Sequence, residues 1–355
     1  MTDGFVYEAQ PMRVVFGAGS TAVLPAEAER LGMRRALVLS TPQQRGLATR
    51  VAALLGERAA GVFDGARMHV PVETVAAAEA AVAEADADGC VAVGGGSTVG
   101  LGKALALRRA LPVLALPTTY AGSEMTPIWG LTENAEKRTG RDPAVMPRSV
   151  VYDPDLTMTL PAAVSVTSGI NALAHAVEAL YAPDGSPVVA AMAERGVRDL
   201  ANALPLLADD PGDRAGRRAA LCGAWLCGAC LGATTMGLHH KLCHVLGGMF
   251  DLPHAETHAI VLPHVAALNL PAAPEADAAL RRVLDTDDVP AALAKLTALA
   301  TRLGAPGGLQ ELGVAEDDLP RVADEVLARP YANPWPVGRR DLLGLLHAAH
   351  RGGTS

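Results

Sequence analysis

Chemistry in this chain concentrates between Gly237 and His264, GLHHKLCHVLGGMFDLPHAETHAIVLPH, which holds six of the ten histidines: His239, His240, His244, His254, His258 and His264. His240 and His244 are one helical turn apart and share a face. Gly247-Gly248 offers a helix stop, and Pro253 places His254 at a new start or turn. Imidazoles converging from a helix and the segment after it suit a metal ion, a proton relay or an anionic substrate. The bland alternative is a scatter of histidines, each satisfied by a backbone carbonyl. Of the five cysteines, Cys227 and Cys230 have redox or zinc spacing. They lie in an alanine- and glycine-rich helical run with no second pair, so they read as small buried hydrophobes.

A second chemical signal lies earlier. Gly94, Gly95, Gly96 and Ser97 follow a short apolar run and open a helix, a recipe for binding phosphate. Glycine lets the backbone approach the anion, and free N–H groups at a helix start point at it. Alone the signal is weak: neither the G-x-G-x-x-G fingerprint nor the P-loop is satisfied. Pro117-Thr118-Thr119, with Gly122-Ser123 and Thr126, supplies hydroxyls at the end of the next strand. Two such loops on adjacent strand ends suggest a dinucleotide site.

The elements that would carry these loops alternate. Strand material at 5–16, broken by Pro11, precedes a helix at about 21–31, then strands at 35–39, 61–63, 90–93, 111–116 and 150–153, with helices at about 46–55, 72–85 and, behind Ser97, through Lys103. Such alternation implies an α/β domain with a mostly parallel sheet, whose ligands sit beyond the strand C-termini. From Pro161 onward the pattern is helical with short Gly/Pro breaks. The expected division is an α/β dinucleotide-binding domain over 1–157 and an all-helical catalytic domain over 158–355.

With half of its 355 residues apolar and only 3% aromatic, the chain builds its cores mainly from small aliphatic side chains. The net charge of −8 argues against nucleic acid or a general membrane surface as partner. No apolar run approaches the roughly 20 residues of a membrane span, and the first residues lack the features of a signal peptide, so a cytoplasmic protein is expected.

Taken in order, Gly94–Ser97, Pro117–Thr119, Gly122–Thr126, Asn171-Ala-Leu-Ala-His175-Ala-Val-Glu178 and Gly237–His264 resemble the iron-containing (group III) alcohol dehydrogenase superfamily across nearly the whole chain. The resemblance implies the fold of that family and of dehydroquinate synthase, NADH or NADPH as cofactor, and a homodimer. It places Gly94, Gly95, Gly96, Ser97, Thr118, Thr119, Ser123, Thr126 and His69 around the cofactor. It also places His175, His240 and His254 where the family's metal-binding histidines stand, but the family's aspartate is Asn171. An amide brings no charge to a divalent ion, so a metal is disfavoured. Thr41 stands where an acid often ends the second strand, leaving nothing to repel a 2′-phosphate. Asn171, the tract 118–127 and the tract 94–103 together look like one branch, the maleylacetate reductases, which reduce the activated C=C bond of a dicarboxylate, maleylacetate, to 3-oxoadipate in aromatic-ring catabolism. On that reading His175, His240, His244, His254 and Asn171 carry the chemistry, with His244 or His254 as proton donor. A metal-dependent alcohol or aldehyde oxidoreductase and a non-catalytic dinucleotide-binding protein are the alternatives.

Overall fold

A computed structural model describes residues 5–133 and 136–352. The chain divides into two compact units, residues 10–159 and residues 160–355 together with the first nine. Residues 5–9, assigned above to the α/β domain, thus group with the helices.

The first unit runs β1 (Arg13–Phe16), α1 (Leu24–Arg30), β2 (Ala36–Leu39), α2 (Arg45–Leu55), β3 (Ala59–Phe63), α3 (Val72–Glu84), β4 (Gly89–Gly94), α4 (Gly96–Arg109), β5 (Val113–Pro117), β6 (Ile128–Glu133), β7 (Glu136–Arg141) and β8 (Ser149–Tyr152). Six strands form one parallel sheet in the order β1-β8-β5-β4-β2-β3. Apolar side chains alternate between its faces. Val38, Val91 and Val93 pack with Leu24, Ala48 and Val51 of α1 and α2. Leu37, Leu39 and Cys90 pack with Val75, Ala78, Leu101 and Leu105 of α3 and α4. A sheet covered on both faces needs such near-continuous apolar strands.

One expectation fails, and one pair of strands is new. No strand forms over 5–12; pairing begins at Arg13, just past Pro11, which has no N–H to give a ladder. The antiparallel pair β6–β7 was not anticipated, because Glu-Lys-Arg-Thr-Gly-Arg in β7 contains no apolar residue to alternate. Its glycine is required all the same: a Cβ on Gly140 would lie 2.5 Å from the Trp129 ring.

The second unit is wholly helical among its described residues: α5 (Ala162–Ala179), α6 (Pro187–Asp209), α7 (Arg214–Ala233), α8 (Leu238–Phe250), α9 (His254–Asn269), α10 (Pro274–Leu284), α11 (Val289–Arg302), α12 (Leu319–Leu327) and α13 (Arg339–Arg351). Every residue of α5 from Ser165 to Ala179 is buried, which marks it as the central helix. Asn171, His175 and Glu178 therefore sit where a polar group is costly unless satisfied. Helices α6 and α7 cross backbone to backbone: a Cβ on Gly196 would meet Gly223 O at 3.1 Å and Cys227 Sγ at 2.7 Å. That packing explains the buried Cys227. Cys230, also buried and free, has Val189 O within 3.6 Å of its sulfur.

Candidate active site

In the parallel sheet the chain leaves β2 toward β3 on one side, and from β4 proceeds to β5 on the other. The ends of β2 and β4 flank the point where strand order reverses, where ligands of such sheets bind. Gly94 closes β4 and Gly95 caps α4 with no side-chain bond, so the first N–H groups of a 14-residue helix have no side-chain acceptor there. The glycines are needed for space. A Cβ on Gly95 would lie 2.9 Å from Thr119 Cγ2, and one on Gly94, whose φ is +157°, would lie 2.4 Å from Thr98 Oγ1. The second loop lies directly against the first, tied by Thr118 N–H donating to Gly94 O at 3.1 Å.

The hydroxyls of this second loop divide by role. Ser97, Thr119 and Ser123 are half-buried. Thr118 is buried and accepts from Gln44 Nε2 at 2.7 Å. Thr126 accepts from Lys103 Nζ at 2.9 Å and donates to Ser123 O at 3.1 Å. Thr118 and Thr126 thus shape the loop from within. Lys103, 1% exposed, also donates to Ser123 O and Ile128 O, at 2.5 and 2.8 Å. Burial pulls its ammonium down to about 7, partly opposed by the Glu124 carboxylate. Glu124 is itself pushed up by burial and accepts from Tyr152 OH at 2.6 Å. Gln44 and Lys103 had not been singled out; both precede or follow a loop by sequence but reach it only through the fold. His69 lies in the turn before α3, with Val70, at φ +61° and +48°. Its carbonyl accepts from Thr132 Oγ1 at 2.8 Å. Two successive side-chain-bearing residues in the left-handed region are strained, and such strain is common at functional sites.

In the helical unit six imidazoles from three helices form one cluster. His175 of α5 and His240 of α8 have ring centroids 5.2 Å apart. His240 and His244 lie 6.2 Å apart, and His244 stacks on His254 of α9 at 6.3 Å. His258, one turn after His254, is the hub: 4.2 Å from His254, 5.0 Å from His240, 4.8 Å from His239 and 6.4 Å from His175. All four expected histidines are therefore in the cluster, and Asn171 is buried one turn before His175 on α5. His239 and His258 were left out of the expected set although the stretch contained them. His254 and His258 are four residues apart on α9, a spacing legible once the helix is known to start at His254. His264 lies further along α9.

Glu178, also on α5, organises the cluster. Its carboxylate accepts from the backbone N–H groups of Gly237, His239 and His240 at 3.2, 2.7 and 3.4 Å, capping α8 from a neighbouring helix. The same carboxylate accepts from His240 Nδ1 at 2.6 Å, which fixes the tautomer and leaves Nε2 toward other partners. Gly237 is needed there, since a Cβ would approach Ala332 O to 2.7 Å. The segment 331–336 is an anchor: Asn333 and Asn269 exchange amide hydrogen bonds of 2.8 Å in both directions.

Burial holds His175, His239 and His258 well below the ordinary imidazole range, with neighbouring histidines adding to the effect. These three are neutral near pH 7, each with one N–H and one lone pair. His239 Nε2 and His258 Nδ1 are hydrogen-bonded at 2.9 Å. Among the described residues, His175 Nδ1, His240 Nε2 and His258 Nε2 are buried without a protein partner. Orphaned buried polar atoms cost about 1–3 kcal/mol each and call for a ligand to satisfy them. His244 and His254 are half-buried and able to exchange protons with solvent.

The donor set does not fit the iron that the resemblance implies. A hard divalent ion favours oxygen ligands and an anion, whereas Asn171 supplies an uncharged amide. Among the described residues, one group of three has its ligand atoms all within 4.8 Å of one another, and it is His239, Cys243 and His258, not His175, His240 and His254. The neutral imidazoles of the cluster offer hydrogen-bond donors and acceptors.

Comparisons with known proteins show the family of the chain. A maleylacetate reductase of Sphingobium indicum is 55% identical over 348 residues, 98% of each chain. The crystal structure of a maleylacetate reductase from Agrobacterium tumefaciens superposes with a TM-score of 0.93 at 51% identity, covering 99% of both chains. That of an iron-containing alcohol dehydrogenase from Corynebacterium glutamicum gives 0.94 at 42% identity, over 100% of this chain and 99% of that one. Residues 11–154 match the family described as iron-containing alcohol dehydrogenase, and residues 165–350 match the C-terminal part of the Fe-containing alcohol dehydrogenase family. The chain belongs to the iron-containing alcohol dehydrogenase family.

Proposed function

We propose that this chain is a maleylacetate reductase, using NADH or NADPH to reduce the C=C bond of maleylacetate to 3-oxoadipate in aromatic catabolism, with no resident metal required. The observation that carries the reading is the buried histidine cluster with Asn171 in place of an acid, in a chain 55% identical over 98% of its length to a maleylacetate reductase.

The N–H groups at the start of α4 would hold the cofactor's pyrophosphate, with Ser97, Thr119 and Ser123 as hydroxyl partners. Thr41 at the end of β2 leaves a 2′-phosphate unopposed, so both cofactors are accepted. Hydride delivered to the carbon β to the ketone moves the electron pair of the C=C bond toward the ketone oxygen, giving an enolate. His175, which carries one N–H, donates to that oxygen as charge develops, while His240, its Nδ1–H held by Glu178, presents the Nε2 lone pair beside it. Protonation of the α-carbon by His244 or His254 completes the reduction, and their partial exposure lets them recover the proton from solvent. Asn171 adds no negative charge of its own to repel a dicarboxylate. His258 donates or accepts from the centre of the cluster, its tautomer set by His239.

No single described helix is long and apolar enough to cross a membrane. A cytoplasmic homodimer fits the resemblance, and the exposed Phe5 and Val6 suit an interface between copies. The test is NADH oxidation with maleylacetate, with the product identified by mass and NMR. A saturated keto-diacid supports the reading. A hydroxy acid that keeps its C=C bond, or activity confined to simple alcohols with added iron, overturns it.

A further inference from the structure

We propose that His239, Cys243 and His258 form a binding site for a thiophilic d10 metal ion of the zinc–cadmium class, distinct from the family's metal position, and that its occupation inhibits the enzyme. His239 and Cys243 are one turn apart on α8, and His258 reaches them from α9. His239 Nε2 lies 2.9 Å from His258 Nδ1 and 3.8 Å from Cys243 Sγ, and all three ligand atoms fall within 4.8 Å of one another. Bonds of about 2.0–2.1 Å to nitrogen and about 2.3 Å to sulfur require tetrahedral ligand separations of about 3.3–3.6 Å. An ion therefore needs the two nitrogens to part, and the thiol to close on His239 Nε2, by a few tenths of an ångström each, and the Cys243–His258 separation, within 4.8 Å, to close by up to about 1.2 Å.

The ligand chemistry selects the ion. Two neutral imidazoles and a thiolate are a soft, mixed set that suits zinc, cadmium or copper(I) and discriminates against magnesium, calcium and iron(II) held by oxygen. The three side chains are 0%, 2% and 0% exposed, so the site is dry and entry needs a local opening of α8 against α9. Occupation is accordingly slow. The proton balance is defined. Cys243 releases its thiol proton to solvent as the S–metal bond forms. The proton shared between His239 Nε2 and His258 Nδ1 shifts to the other nitrogen of the imidazole that carries it, so both lone pairs face the ion.

Inhibition follows because the ion replaces the His239–His258 hydrogen bond and ties the hub of the cluster to a metal. That consequence rests on the function proposed above; the ligand set does not. Cys243 itself stands outside the proposed catalytic set.

The test begins with metal-free enzyme titrated with cadmium, following the thiolate-to-cadmium absorption in the near ultraviolet. One equivalent per chain should develop the band over minutes, with turnover falling about tenfold or more. Cys243→Ser, or Cys243→Ala if the serine variant folds poorly, should keep the activity of the metal-free enzyme while losing both the band and the inhibition. Cys227→Ser should behave as wild type. Absence of the band, its persistence in the Cys243 variants, or cadmium binding by calorimetry without a band overturns the site. A band lost with Cys243 but without inhibition keeps the site and overturns its effect on His258.

Discussion

The glycine loop of the α/β unit and the histidine cluster of the helical unit are built on opposite principles. Gly94–Ser97 offers backbone N–H groups at the start of α4, and side chains matter there mainly by being absent. A Cβ at Gly95 would strike Thr119. In the helical unit everything rests on side chains brought from α5, α8 and α9, and on one carboxylate, Glu178, that both caps a helix and orients His240. A local motif tolerates no added atom; an assembled cluster tolerates no lost partner.

The largest effect should come from the cluster. His240→Ala is expected to lower turnover by about 10²–10⁴-fold while leaving NADH binding, measured by fluorescence titration, nearly unchanged. Unchanged turnover would remove His240 from the chemistry. Glu178 separates structure from catalysis. Glu178→Ala strips partners from three backbone N–H groups and should cost about 2–4 kcal/mol of stability in a denaturant titration. Glu178→Gln can still accept from one or two of them, and should keep most of that stability while losing about 10–100-fold in kcat.

Gly95→Ala should act on the other region alone. The methyl group forces Thr119 aside at a cost of about 1–3 kcal/mol, read as a raised KM for NADH with kcat at saturation largely preserved. A fall in kcat at constant KM would mean the loop does not hold the cofactor. The smallest effect is on pH. His175, His239 and His258 protonate in the folded protein only well below the ordinary value of 6.5. Below that value the unfolded chain binds more protons, so stability falls as pH drops through 6.5, by up to about 1.4 kcal/mol per pH unit for each histidine. Above it their contribution is constant. Thermal unfolding between pH 7.5 and 5 should show this slope, and His258→Gln should reduce it.

The same contrast explains what was legible in the sequence. Glycine turns after apolar runs are contiguous, so the parallel sheet, the order of its elements along the chain and the two loops at its strand ends could be read directly. The six clustered histidines were visible as residues, but their roles were not. Glu178 is some sixty residues from the N–H groups it caps. His258 becomes the hub only once α9 is known to begin at His254. Thr118 and Thr126 were expected near the cofactor because hydroxyls at strand ends often are. Only the fold reveals that Gln44 and Lys103 also bond to them. The polar strand β7 gave no periodic signal at all.

The central claim is that the histidine cluster, without a metal, carries the reduction. The most direct measurement is NADH consumption with maleylacetate by enzyme stripped with chelator and checked for residual metal. Full activity in the stripped enzyme, unchanged by added iron and reduced by cadmium, is the predicted result. Activity that disappears on stripping and returns only with iron or zinc would contradict the account.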